Sequence, residues 1–340
     1  MNQGPGVDNT RLPDPSLVAG AKARPVEYAL TSPIFLLGSE RSGTTLLRLM
    51  LDHHPRIAFN LESEYLVSQI ADDGSLPPMA AYRAWLGRDR VFRRSDFTID
   101  ARLEYIDLVR DFLRQKMLRD RKELIGATMH RAMAKIPRIW PQARYVYMYR
   151  DGRDVAGSVV GMGWSGNVYV AADWWLAAER EWAALRRSIR KDQWIEVRFE
   201  DLVTAPRAEL ARICAFVGVD YSEAMFDYVR TSSYQAPDPH QCTQWQSHLR
   251  PIDIRRVEAR LAEGLTSRGY PLSGEPRVSI GPLYDRYLRL QSRIGSWRFR
   301  IRRFGVMLTL QDALLRRLRL RGLHARVSEN LDRITDTHLQ

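Results

Sequence analysis

An α/β fold on a mainly parallel sheet is predicted here by three observations. Short apolar runs alternate with amphipathic stretches along most of the chain, as strands joined by crossover helices do. The run "PIFLL" (33–37) passes through the turn "GSERSG" directly into "TTLLRLMLDHH", which has helical spacing. The 340 residues are 45% hydrophobic and 27% charged, a composition that supports one large packed domain.

The elements follow in order. Residues 1–32, rich in Pro, Gly and small polar residues, read as a loose arm. After the strand 33–37, Leu46, Leu47, Met50 and Leu51 give the first helix an apolar face. "RIAFN" (56–60) is a second strand, and "ARLEYIDLVRDFLRQKMLRD" (101–120) is an amphipathic helix. "ELIGAT" (123–128) and "ARYVYMY" (143–149) are strands, the latter bounded by Pro141 and the polar "RDGRD". A long helix follows over 172–191, where Trp175 and Trp182, seven apart, share a face and read as core. "WIEVRFE" (194–200) is a strand, and 205–218 a helix stopped by Gly218. The domain reading is an arm over 1–32, one α/β domain over 33–275 and an Arg-rich helical extension over 276–340.

Cys214 and Cys242 are the only cysteines. They are too few for a disulfide framework and lack a metal-ligand set, so a reducing, cytoplasmic setting and no metal are expected. No apolar stretch reaches the roughly 18 residues of a membrane span, and the start lacks the pattern of a secretory leader. The net charge of +12 is unevenly placed: residues 280–340 hold thirteen Arg, no Lys and five acids. The basic character therefore belongs mainly to the extension and argues little for nucleic acid at the main domain.

The turn after the first strand carries the chemistry. Gly38 and Gly43 let backbone N–H groups converge, and the opening helix adds its dipole, which together make a receptor for phosphate or sulfate. Arg41, Ser42, Thr44 and Thr45 add a cation and hydroxyls. A nucleotide-triphosphatase loop requires Lys where Thr44 stands, and no clear acid follows an apolar strand as metal partner. A nucleotide handled without magnesium is the reading this favours. A second anion site is read in "YVYMYRDGRDVAGSVV" (145–160), where Arg150 ends a strand, Arg153 follows it and Ser158 lies on the second turn of a helix, an arginine fork with a hydroxyl.

"GSERSGTTLL" and "YRDGRDVAGS" together resemble the two cofactor motifs of the sulfotransferases that use 3′-phosphoadenosine 5′-phosphosulfate (PAPS). "LDHHPRI", "VRFEDLVTAPRAELARICAFVGV" and "QWQSHL" extend the likeness over roughly 33–270. The bacterial and tyrosylprotein branch is the nearer one. The resemblance implies a P-loop-like fold and transfer of a sulfuryl group from PAPS to a hydroxyl or amine, without metal. It places Arg41, Ser42, Gly43, Thr44 and Thr45 on the 5′-phosphosulfate, and Arg150 and Ser158 on the 3′-phosphate. Glu62 stands at that branch's catalytic glutamate, Glu64 is a rival base, and Trp245 falls near the nucleotide. Ala127 stands where many members keep a lysine. His130 or Arg131 is the nearby substitute, and His130 is also a candidate base. The acceptor class stays open among small molecules, lipids, glycans and peptides.

"GMGWSGNVY" (161–169) reads as an acceptor loop or lid. The extension reads as an appendage packed on the domain or on a second subunit, or as a contact with an anionic membrane surface. Nucleic acid is not expected, since no recognised motif is present. Two alternatives to the enzyme reading are a small-molecule kinase on a related fold and a non-catalytic anion- or membrane-binding module.

Overall fold

The computed structural model describes residues 29–318 and residues 327, 331 and 334. Most of the expected amino-terminal arm and the end of the extension lie outside the described residues. At the centre is a five-stranded, wholly parallel sheet in the order β2-β3-β1-β4-β5. Its strands are β1 (Ile34–Gly38), β2 (Ile57–Glu62), β3 (Leu124–Met129), β4 (Arg144–Tyr149) and β5 (Trp194–Arg198). The helices are α1 (Thr44–His53), α2 (Met79–Leu86), α3 (Tyr105–Asp120), α4 (Gly152–Gly161), α5 (Val168–Ser188), α6 (Phe199–Thr204) and α7 (Pro206–Val217). They continue as α8 (Tyr228–Thr231), α9 (Trp245–His248), α10 (Pro251–Ser267), α11 (Pro282–Phe304) and α12 (Val306–Arg317).

Both sheet faces are covered, which is why β1 is buried along its whole length and reads as an unbroken apolar run. Phe35 and Leu37 point into a core shared with Phe112, Trp140 and Trp182. Ile34 and Leu36 point to the other side, among Leu47, Met50, Leu51 and Ile213. The expected α/β architecture is present, with three shifted boundaries. The helix expected from 101 begins at Tyr105, because Asp100 takes the Arg102 backbone N–H at 2.9 Å and its guanidinium at 2.7 Å, holding that turn out of the helix. The helix expected from 172 begins at Val168, where Asn167 caps it by accepting the Val170 N–H at 3.0 Å. The last strand stops at Arg198, as Phe199 opens α6.

Topology sets the place of a ligand. Gly38 of β1 pairs with Met148 of β4, and Leu37 pairs with Met129 of β3. The segments leaving β1, β4 and β3 therefore emerge side by side at the carboxyl edge. The chain's strand order changes direction here, at the position where open α/β sheets bind ligands.

Candidate functional site

The turn from β1 into α1 has the geometry to receive an anion. Gly43 has φ 92° and Arg41 φ 71°, both left-handed. Gly43 also meets Phe199 so closely that a Cβ would lie 2.4 Å from its ring, so only glycine fits. No side chain caps α1, which leaves its first amides to another acceptor. Ser42 is fully buried and its hydroxyl has no partner. Gly43, Thr44 and Thr45 line a cavity of about 160 Å³ together with Arg41, Arg150 and Phe199.

The two motifs meet. Arg41 Nε donates to Ser158 Oγ at 2.9 Å across 117 residues of sequence. Burial, and after it the charge of Arg150, pull the Arg41 pKa down, while Tyr234 opposes them. Arg41 pairs with no carboxylate among the described residues. Arg150 donates to the Gln241 carbonyl at 2.7 Å and lies 4.2 Å over the Phe199 ring. Its Nε is buried without a partner. Trp175 fixes the Arg150 backbone by donating its indole N–H to the carbonyl at 3.0 Å, so this tryptophan belongs to the core and supports the site.

Arg150 and Ser158 also line a second cavity of about 660 Å³, whose walls include Trp245, Arg256, Ile294 and Arg298. Arg150 thus stands between the two cavities. Trp245 is 7% exposed, and its indole N–H is buried without a partner. Its backbone N–H donates to Asp154 Oδ1 at 2.7 Å. Burial pushes the Asp154 carboxyl up to about 6, against the pull of Arg150. Arg153, by contrast, is consumed by structure. It pairs with Asp151 and Glu258, each at 2.7 Å, and lies 3.7 Å over the Trp245 ring.

The candidate bases gather at the next strand ends, outside the walls of the smaller cavity. His130 follows β3, and its Nδ1 lies 2.9 Å from the Gly38 carbonyl. A carbonyl can only accept, so Nδ1 carries a proton and Nε2 is the ring nitrogen not engaged by Gly38. The His130 backbone N–H donates to Glu64 Oε1 at 2.8 Å. Burial raises the Glu64 carboxyl above its ordinary value, with His130 opposing. Glu62 ends β2, half-buried, so the 62–64 stretch is a strand end running into a 3₁₀ turn rather than one helix. Ala127 is fully buried in the core between Phe35 and Asn60 in register, where no cation stands. Arg131 is paired to Glu40 of the loop at 2.8 Å.

Sequence reasoning does not single out Arg48, one turn into α1. It is half-buried with its Nε unpartnered, and it feels the charges of Glu62 and Asp52. The signal was an arginine set inside the apolar run "LLRLML". Among the described residues there is no cluster of acids, His or Cys arranged to hold a metal.

Residues 33–223 match the family model described as "Sulfotransferase family", more than half of the chain. The chain belongs to the sulfotransferase family. The match takes in residues 38–45 and 150–158 of this sulfotransferase-family chain and ends before Trp245 and α11. Protein-tyrosine sulfotransferase A of Caenorhabditis elegans is 25% identical over 215 residues, covering 59% of this chain and 54% of that protein. The Drosophila melanogaster protein-tyrosine sulfotransferase is 24% identical over 280 residues, 72% of this chain and 52% of its own length. This sulfotransferase-family chain therefore spans about half the length of those two relatives. Among solved structures, the sulfotransferase domain of the Synechococcus PCC 7002 olefin synthase shares the fold, with TM-score 0.52 and 22% identity. It covers 71% of this chain and 97% of the domain.

Proposed function

We propose that the chain transfers a sulfuryl group from PAPS to a hydroxyl or amine acceptor. The observation that carries this is the Arg41–Ser158 hydrogen bond with Arg150 beside it. It brings the two sequence motifs into direct contact, and on this reading both face one nucleotide that carries anionic groups. The orphaned Ser42 hydroxyl and Arg150 Nε fit such a ligand, because each is a buried donor awaiting an acceptor. On this reading Arg41, Ser42, Gly43, Thr44 and Thr45 hold the 5′-phosphosulfate, Arg150 and Ser158 the 3′-phosphate, and Trp245 borders the nucleoside.

When bound, the donor supplies an activated sulfuryl group for in-line displacement. The chain's part is to position and neutralise. Arg41 and the α1 amides offset negative charge where it gathers. A base at the adjoining strand ends takes the acceptor proton. Glu62 is the proposed base, by resemblance and by its place at the end of β2 beside Arg48. His130, through its Nε2, is the rival. Glu64 spends its carboxylate on the His130 amide and acts as a positioning residue. The relatives named above are protein-tyrosine sulfotransferases, which makes a phenolic hydroxyl on a peptide the first acceptor to try.

The test is thermal denaturation with adenosine 3′,5′-bisphosphate and, separately, with ATP–magnesium. At about 100-fold excess over Kd, a bound ligand adds about 2.7 kcal/mol of stability. The proposal expects the bisphosphate to raise the melting temperature and ATP–magnesium not to. Stabilisation by ATP–magnesium alone would support the kinase reading instead.

A further inference from the structure

The helix α11 carries two apolar stripes, and only one of them is covered. On one side Leu288 and Ser292 are buried, and Gly295 packs against Gly166. On the opposite side Leu283, Tyr287, Leu290, Ile294 and Trp297 recur at steps of four and three, each between 42% and 80% exposed. At 100° per residue these five fall on a single stripe. Exposed Arg286, Arg289 and Arg293 flank it on one side, and exposed Arg298 and Arg302 on the other. Past Gly305, Met307, Leu310 and Leu314 of α12 are also each more than half exposed.

Charge decides what covers this face. From Pro282 to Arg317 there are nine Arg, no Lys and two acids. Asp285 is paired to Arg289 at 2.8 Å, and Asp312 is buried against Arg300. Two copies laid stripe to stripe would set arginine against arginine with no carboxylate between them, which costs rather than stabilises. Residues 1–28 hold three acids and three bases, so that segment brings no complementary charge either. An anionic lipid surface satisfies both features: the stripe enters the headgroup boundary and the arginine heads reach lipid phosphates from its flanks. Tyr287 and Trp297 suit that depth. Among the described residues no helix is long and apolar enough to cross a membrane, so the helix would lie in the interface plane.

We propose that α11 and α12 form a peripheral membrane-docking face selective for anionic lipid. Ile294 and Arg298 belong both to this face and to the wall of the larger cavity beside Ser158, so docking brings that cavity to the lipid boundary. The experiment is co-sedimentation of the full chain with vesicles of pure phosphatidylcholine and with vesicles containing phosphatidylglycerol. The expected result is at least about tenfold stronger partition onto the anionic vesicles, since each arginine near such a surface contributes measurably, and loss of that advantage at high salt. The pairs Tyr287→Glu with Leu290→Glu, and Arg286→Glu with Arg293→Glu, should each reduce partition about tenfold or more. Unchanged melting temperatures show that the variants are folded. Equal partition on both vesicle types, none on either, or folded variants that bind like wild type overturns the proposal. So does a dimer in sedimentation that Leu290→Glu dissociates, which would assign the stripe to contact between copies.

Discussion

Arg41 holds a left-handed backbone conformation and directs its guanidinium at Ser158, with no carboxylate among the described residues to neutralise it. Such backbone costs about 1–3 kcal/mol in a non-glycine residue, and a phosphate-type ligand would offset it. Replacing Arg150 by Ala should weaken adenosine 3′,5′-bisphosphate by about 1.5–3 kcal/mol, the range for a charged hydrogen bond, as read by calorimetry. Glu62→Gln should lower kcat by about 100-fold or more with little change in nucleotide affinity. If His130→Gln does this and Glu62→Gln does not, His130 is the base. Asp154 gives a pH prediction. Its folded value of about 6 lies above the 3.8 of an ordinary aspartate, so the folded state binds more protons in between. This group's contribution to stability must therefore fall as pH rises from about 4 to 6. Asp154→Asn should flatten that slope when urea midpoints are compared at pH 4.5 and 7.

At the scale of elements, the segment 161–169, expected as an acceptor loop or lid, is the seat of α11. Ser292 Oγ accepts the Gly166 N–H at 3.0 Å and meets Ser165 Oγ at the same distance. Asn167 donates to the Leu288 carbonyl at 2.7 Å. A Cβ on Gly295 would lie 2.7 Å from the Gly166 Cα. Gly295→Leu should therefore lift α11 from this seat and cost about 1–3 kcal/mol, seen as a lower melting temperature and faster proteolysis after residue 275. This contact explains what could be read in the sequence. The turn 38–45 and the segment 150–158 carry their geometry locally, in glycine placement and in the strand-to-helix change. The docking of α11 joins residues 126 and 127 apart, and no local pattern encodes it. Arg153, read with Arg150 as part of an anion fork, is instead held by ion pairs, and one of its partners, Glu258, lies 105 residues away. Tyr234 and Phe199 reach the site only through tertiary packing.

At the scale of the whole molecule, the parallel sheet makes one site from distant segments, because β1 has β4 on one side and β3 on the other. The alternation of strands and helices was enough to foresee the sheet, whereas the neighbours of each strand required the structure. The start of the extension is packed on the domain, one of the places expected for it, through the bonds of α11 to Gly166 and Asn167. Gln291, Ile294 and Arg298 wall the larger cavity, so removing residues 280–340 should open that cavity as well as remove any surface contact. Titrating adenosine 3′,5′-bisphosphate, 5′-AMP and 3′-AMP into the wild type, Arg41→Ala and Arg150→Ala tests the central claim most directly. The account predicts one site that binds the bisphosphate more tightly than either monophosphate, with the 3′-phosphate advantage lost in Arg150→Ala and overall affinity lost in Arg41→Ala. Two independent sites, or both variants binding the bisphosphate like wild type, would contradict it.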